Sequence, residues 1–116
     1  MTGVGGVGGD GVPGGWVEAC AVDDIEPEDV IEVQCAGRTF AVYRSPQDTF
    51  HATDPICTHE RASLADGLVQ GDIIECPKHN GRFNYKTGEA TRPPARENLC
   101  IYPVRTEAGR VFIRLG

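Results

Sequence analysis

Cys57-Thr58-His59 is followed, after a gap of sixteen residues, by Cys76-Pro77-Lys78-His79, so the chain carries C-x-H and then C-x-x-H. Two thiolates and two imidazoles complete a four-ligand set for metal, and each short spacing brings two donors to a single turn. Only two loops then have to meet, rather than four separate positions. The order of ligands matters. A zinc finger of the Cys2His2 type reads C-x-x-C and then H-x3-5-H, which pairs like with like. Here each loop offers one sulfur and one nitrogen, so two metal atoms could each receive a matched pair, one ligand from either loop. A zinc knob or unmetallated polar residues are the competing uses of the same four side chains.

The stretches CTHERASLADG and CPKHNGRFNYKTGEATRPPA resemble the two cluster-binding loops of Rieske [2Fe–2S] proteins. They are most similar to the small Rieske ferredoxins of bacterial ring-hydroxylating oxygenase systems, over roughly residues 16–116. The resemblance implies that Cys57 and Cys76 bind the inner iron, and His59 and His79 the outer one. It also implies supporting roles for Gly81, where the lack of a side chain lets backbone lie close to the cluster, and for Pro94. Pro93-Pro94-Ala95 resembles the family's proline-containing third loop, which covers the cluster.

Departures from the pattern narrow the class. Respiratory relatives carry an extra cysteine in each ligand loop, joined as a disulfide, where this chain has Ala62 and Lys78. They also aim a serine and a tyrosine hydroxyl at cluster sulfurs, where this chain has Gly81 and Phe83, neither of which has a side-chain donor. The ferredoxin class is favoured on all three features. Replacing two thiolates by neutral imidazoles raises the charge of the oxidised cluster from −2 to 0, so an added electron meets less repulsion. Rieske centres accordingly span about −150 to +300 mV, against about −400 mV for all-cysteine plant-type clusters. Without hydroxyl donors, this chain is expected near the lower end of that span.

The function implied by the resemblance is one-electron transfer, from an NAD(P)H-dependent flavin reductase to a terminal Rieske non-heme iron oxygenase, with no catalysis in this chain. The oxygenase itself is a poor alternative. Its mononuclear iron needs two histidines and a carboxylate, and after His59 and His79 only His51 is left. Two further alternatives are a small Rieske-like subunit of another oxidoreductase, such as nitrite reductase, and a zinc-stabilised binding module.

The remainder of the chain must hold two loops in register. Its 116 residues, 24% charged and 40% hydrophobic, suit one globular unit. No apolar run approaches the roughly 18 residues that span a bilayer, so no membrane partner is expected. A formal charge of −6 argues against nucleic acid and suits basic patches on protein partners. Residues 1–15 contain eight glycines. Gly3–Gly8 matches G-x-G-x-x-G, but no strand precedes it, so it is no dinucleotide site. Lacking a basic n-region and an apolar h-region, the stretch reads as a flexible tail and not a signal peptide, which places the protein in the cytoplasm.

From Trp16 the pattern is all-β: an antiparallel sandwich or barrel, with a small inserted subdomain at about residues 54–95 carrying the metal. Expected strands are Trp16–Val22, Val30–Cys35, Arg38–Arg44, Thr49–Thr53, Ile73–Cys76, Arg82–Tyr85, Leu99–Arg105 and Arg110–Leu115. Ala36-Gly37 and Glu107-Ala108-Gly109 mark hairpins, and Lys86-Thr87-Gly88 closes the one around the second ligand loop. Gly67 and Gly88 read as plain turn residues. Cys20, Cys35 and Cys100 read as buried free thiols, and His51 as a hydrogen-bonded or surface histidine outside the ligand set. Arg61, Lys78 and Arg82 are cations beside the ligand loops, and Glu75 reads as solvent-facing.

Overall fold

The computed structural model describes residues 11–12, 15–58, 61–78 and 80–115. In chain order the strands are β1 (Gly11–Val12), β2 (Trp16–Ala21), β3 (Asp29–Cys35), β4 (Arg38–Arg44), β5 (Phe50–Thr53), β6 (Leu68–Gln70), β7 (Ile73–Glu75), β8 (Arg82–Asn84), β9 (Ala90–Arg92), β10 (Ile101–Tyr102), β11 (Val104–Glu107) and β12 (Arg110–Arg114). Single 3₁₀ turns occupy Val22–Asp24 and Leu64–Asp66. The strands make three four-stranded antiparallel sheets, in the orders β1-β2-β12-β11, β10-β5-β4-β3 and β6-β7-β8-β9. The third sheet lies between β5 and β10 in sequence and flanks the ligand loops.

Strand β4 explains how the sheets are joined. Successive side chains of a strand point to opposite faces. Phe40 and Val42 enter one buried cluster with Cys20, Val33, Cys35, Val111 and Ile113. Ala41 and Tyr43, the residues in between, enter a second cluster with Cys57, Cys76, Ile74, Phe83 and Tyr85. One strand is therefore a wall of two cores. Tyr43 lies flat against Tyr85 with ring centroids 4.6 Å apart and planes 5° from parallel. The Tyr43 hydroxyl donates to Thr53 Oγ1 at 2.9 Å, since that hydroxyl itself donates to the Asp54 carbonyl at 2.8 Å.

Two hairpins share one unusual turn. Cys35 pairs with Arg38 across Ala36 (φ 53°) and Gly37 (φ 75°), and Glu107 pairs with Arg110 across Ala108 (φ 52°) and Gly109 (φ 78°). Both central residues are left-handed, as a two-residue turn matching strand twist requires. Alanine is poorly suited to that region and asparagine well suited. Ala36→Asn and Ala108→Asn are each expected to stabilise the protein by about 0.5–1 kcal/mol, read as a higher urea midpoint at unchanged slope.

Several sequence expectations are corrected. Gly11–Val12, inside the stretch read as tail, pairs with Val17 and Trp16; residues 1–10, 13 and 14 lie outside the described residues. The expected strand Leu99–Arg105 is two strands in two sheets, because Pro103 has no N–H to continue a ladder. Strands β6 and β9 were not expected. Lys86-Thr87-Gly88 joins β8 to β9, not β7 to β8, and Asn84 Oδ1 builds that turn by accepting from Lys86 N at 2.8 Å and Thr87 N at 3.2 Å. Gly67 is no left-handed turn residue. A Cβ there would overlap the Glu75 carbonyl oxygen, so glycine is set by the close approach of β7.

Candidate metal centre

Three loops converge at one end of the third sheet. Loop 1 is residues 55–64, loop 2 residues 76–81 and loop 3 residues 93–97. Loop 1 is closed at its base by an Ile56–Ser63 bridge and by Leu64 N donating to the Pro55 carbonyl at 2.9 Å. Within it, Cys57 N donates to the Ala62 carbonyl at 3.0 Å. Loop 2 is closed by Cys76 N donating to the Gly81 carbonyl at 2.7 Å, so the buried Gly81 fixes the start of the loop through its backbone. Loop 3 contains the Pro93–Pro94 cis peptide, and Ala95 N donates to the Arg92 carbonyl at 3.1 Å. The Thr58 hydroxyl, between the two ligand candidates of loop 1, donates to the Glu97 carbonyl at 2.8 Å and ties loop 1 to loop 3.

Cys57 and Cys76 are 4% and 1% exposed and belong to the same apolar cluster, which also contains Ala62 and Ala95. Two thiol-bearing residues buried together under three loops suit a soft metal group, because thiolates buried there need a cation for company. His59 and His79, the other two ligand candidates, lie outside the described residues. Phe83 is fully buried and Gly81 buried, and neither side chain has a hydroxyl to donate. Ala62 is buried and Lys78 exposed.

Other expectations are refined. Arg82 is engaged by Glu75: the guanidinium Nε and a terminal nitrogen each lie 2.9 Å from Glu75 Oε1, directly across the β7–β8 pair. Glu75 therefore does not simply face solvent, and Arg82 is not a spare cation. His51 Nε2 bonds Thr49 Oγ1 at 2.8 Å and the ring leans on Tyr85, as expected of a hydrogen-bonded histidine. Burial, then Lys86, lowers its pKa. Cys20 and Cys35 are buried free thiols, but Cys100 is exposed and precedes β10. The Thr58–Glu97 tie had no sequence signal.

Burial, helped by Asp24, pushes the Cys20 thiol from 9.0 up to about 11. A raised folded-state value means that its contribution to stability is complete below pH 9.0 and is lost as pH rises through about 11. Iodoacetamide at pH 8 is expected to label Cys100 at least about tenfold faster than Cys20, by peptide mass mapping, because only thiolate reacts.

The Rieske [2Fe-2S] domain pattern matches residues 15–103 of the chain. The chain belongs to the Rieske [2Fe–2S] domain family. This Rieske protein is 43% identical over 101 residues to the ferredoxin component of the naphthalene 1,2-dioxygenase system of Pseudomonas putida, covering 87% of this chain and 96% of that one. Among solved structures it is similar to a chain from the complex of reduced oxygenase and oxidised ferredoxin in carbazole 1,9a-dioxygenase. The TM-score is 0.79 at 37% identity, over 87% of this chain and 94% of that one. The Sphingomonas yanoikuyae B1 ferredoxin matches with a TM-score of 0.80 at 35% identity, over 86% of this chain and 98% of that one. The Rieske chain is thus a ferredoxin, an electron carrier and not a catalytic subunit, and its cofactor is a Rieske-type [2Fe–2S] cluster. Among the described residues, no helix is long and apolar enough to cross a membrane.

Proposed function

We propose that Cys57 and Cys76 hold one iron of the cluster and His59 and His79 the other, and that the ferredoxin passes single electrons from a flavin-dependent, NAD(P)H-oxidising reductase to a terminal Rieske non-heme iron oxygenase. The observation that supports this most is the shared burial of both cysteines, 4% and 1% exposed, beneath three loops. The cluster supplies a centre that gains and gives up one electron. The chain's own residues do the rest. Leu64, Val69, Ile74 and Phe83 exclude water from the cysteine side, and Ala95 covers it from loop 3. Gly81 and Phe83 offer no hydroxyl to a cluster sulfur, which keeps the potential at the low end of the Rieske span. The partners are soluble proteins met in the cytoplasm, with no membrane and no nucleic acid.

Anaerobically purified protein should contain iron and acid-labile sulfide in equal amounts and give a paramagnetic signal only when reduced. Mixed with NADH and the reductase and oxygenase of a naphthalene dioxygenase system, it should restore product formation. A colourless protein holding zinc would instead mark a binding module, and a coloured, reducible protein that supports no oxygenase would separate the cluster from its proposed partners.

A further inference from the structure

The three loops each expose a cation: Arg61 in loop 1, Lys78 in loop 2 and Arg96 in loop 3, with Arg92 exposed where β9 leads into loop 3. Among the described residues, none of the four has a carboxylate in ion-pair range. The other cations of the third sheet and its turns are engaged, Arg82 by Glu75 and Lys86 by Asp72, both at 2.9 Å. Residues 57–63, 76–81 and 92–97 hold four Lys/Arg and two Asp/Glu, leaving seven and fifteen for the rest of the chain. The loops are thus cationic on a protein whose formal charge is −6. Ile56, at the foot of loop 1, adds an apolar side chain 41% exposed.

A partner at the tip responds to the charges within a Debye length, about 10 Å at 0.1 M salt, before it responds to the net charge. We infer that the three-loop tip, through Arg61, Lys78, Arg92 and Arg96, is a cationic docking face, and that the protein exchanging electrons there presents carboxylates to it. The inference rests on the cluster lying beneath these loops, as proposed above. It reverses what the total charge alone suggests, which is a basic partner. The acidic remainder then has a role of its own, since it repels an acidic partner from every face but the tip and so sets the orientation of encounter.

Small ions of opposite charge test the polarity at the point of exchange. The reduced holoprotein is mixed in stopped flow with hexacyanoferrate(III), a trianion, or with hexaammineruthenium(III), a trication, across a range of ionic strength. Each accepts one electron from the protein, the iron complex becoming the hexacyanoferrate(II) tetraanion and the ruthenium complex the hexaammineruthenium(II) dication. The rate constant with the anion is expected to fall as salt rises and that with the cation to rise; net charge alone predicts the opposite pair of slopes. The triple variant Arg61→Glu, Lys78→Glu, Arg96→Glu should invert the slope with the anion and lower its low-salt rate constant at least about tenfold. Its midpoint potential should fall modestly, since anions near the cluster disfavour the added electron, and each single reversal should move the slope part of the way. Asp23→Lys with Asp24→Lys should leave both slopes as they are. Slopes that follow net charge overturn the docking face. So does a triple variant whose potential shifts while its slopes do not, because the cations would then act on the cluster and not on a partner. A protein that dithionite cannot bleach fails earlier, at the cluster assignment.

Discussion

Serine in place of Cys57 or Cys76 is expected to remove the visible spectrum altogether and to lower electron delivery to an oxygenase by more than about 100-fold, beyond the loss typical of an outer-shell change. Both residues sit in the same buried cluster, and with the ligand set proposed above each substitution removes one ligand and leaves a hydroxyl in an apolar site. Binding energy that belongs to the folded state is then lost from stability as well. The first sheet should survive, because its packing residues, Cys20, Val111 and Ile113, belong to the other cluster. Iron and sulfide analysis beside far-ultraviolet circular dichroism separates the two effects. Cys20→Ser and Cys35→Ser are the controls, and their visible spectra should match that of the unaltered protein. A Cys76→Ser protein that retained its colour and its iron would remove Cys76 from the ligand set.

Tyr43→Ala is expected to cost about 3–5 kcal/mol, the range for emptying a large buried aromatic site. Tyr43 is fully buried, stacked on Tyr85 and hydrogen-bonded to Thr53, so the change removes ring packing and the donor to Thr53 together. Tyr43→Phe keeps the ring and should cost only about 1 kcal/mol for the lost hydrogen bond. Because β4 faces both cores, cluster absorbance and far-ultraviolet signal should be lost at a common urea midpoint in the unaltered protein and in both variants. A cluster bleached well below the far-ultraviolet midpoint would show that the wall does not couple the two halves.

The ligand spacing, the Ala36-Gly37 hairpin and the long strands of the body were legible because each is a local pattern: a fixed offset, a turn dipeptide or sustained alternation. Strands β6 and β9 were not, since three residues are too few to establish a period, and their pairing depends on neighbours distant in sequence. The break at Pro103 was visible in principle, as a missing N–H inside an expected strand. The need for glycine at position 67 was not, because it comes from the Glu75 carbonyl on another strand. For the same reason Arg82 read as a spare cation until β7 and β8 placed Glu75 beside it. Charge shows the widest gap between the two levels. Composition gives one total, whereas the fold gathers Arg61, Lys78 and Arg96 onto loops far apart in sequence.

The alternation along Phe40–Tyr43 also limits what can be done with the metal-bearing part as a module. Excised alone, residues 54–97 would lose Ala41 and Tyr43, the floor on which their own interior is laid, and transplanted onto a foreign scaffold they would need a strand of matching relief beneath them. A piece running from β3 through the third loop would keep that floor but strip Val111 and Ile113 from Phe40 and Val42 on its underside, so the two halves travel only together.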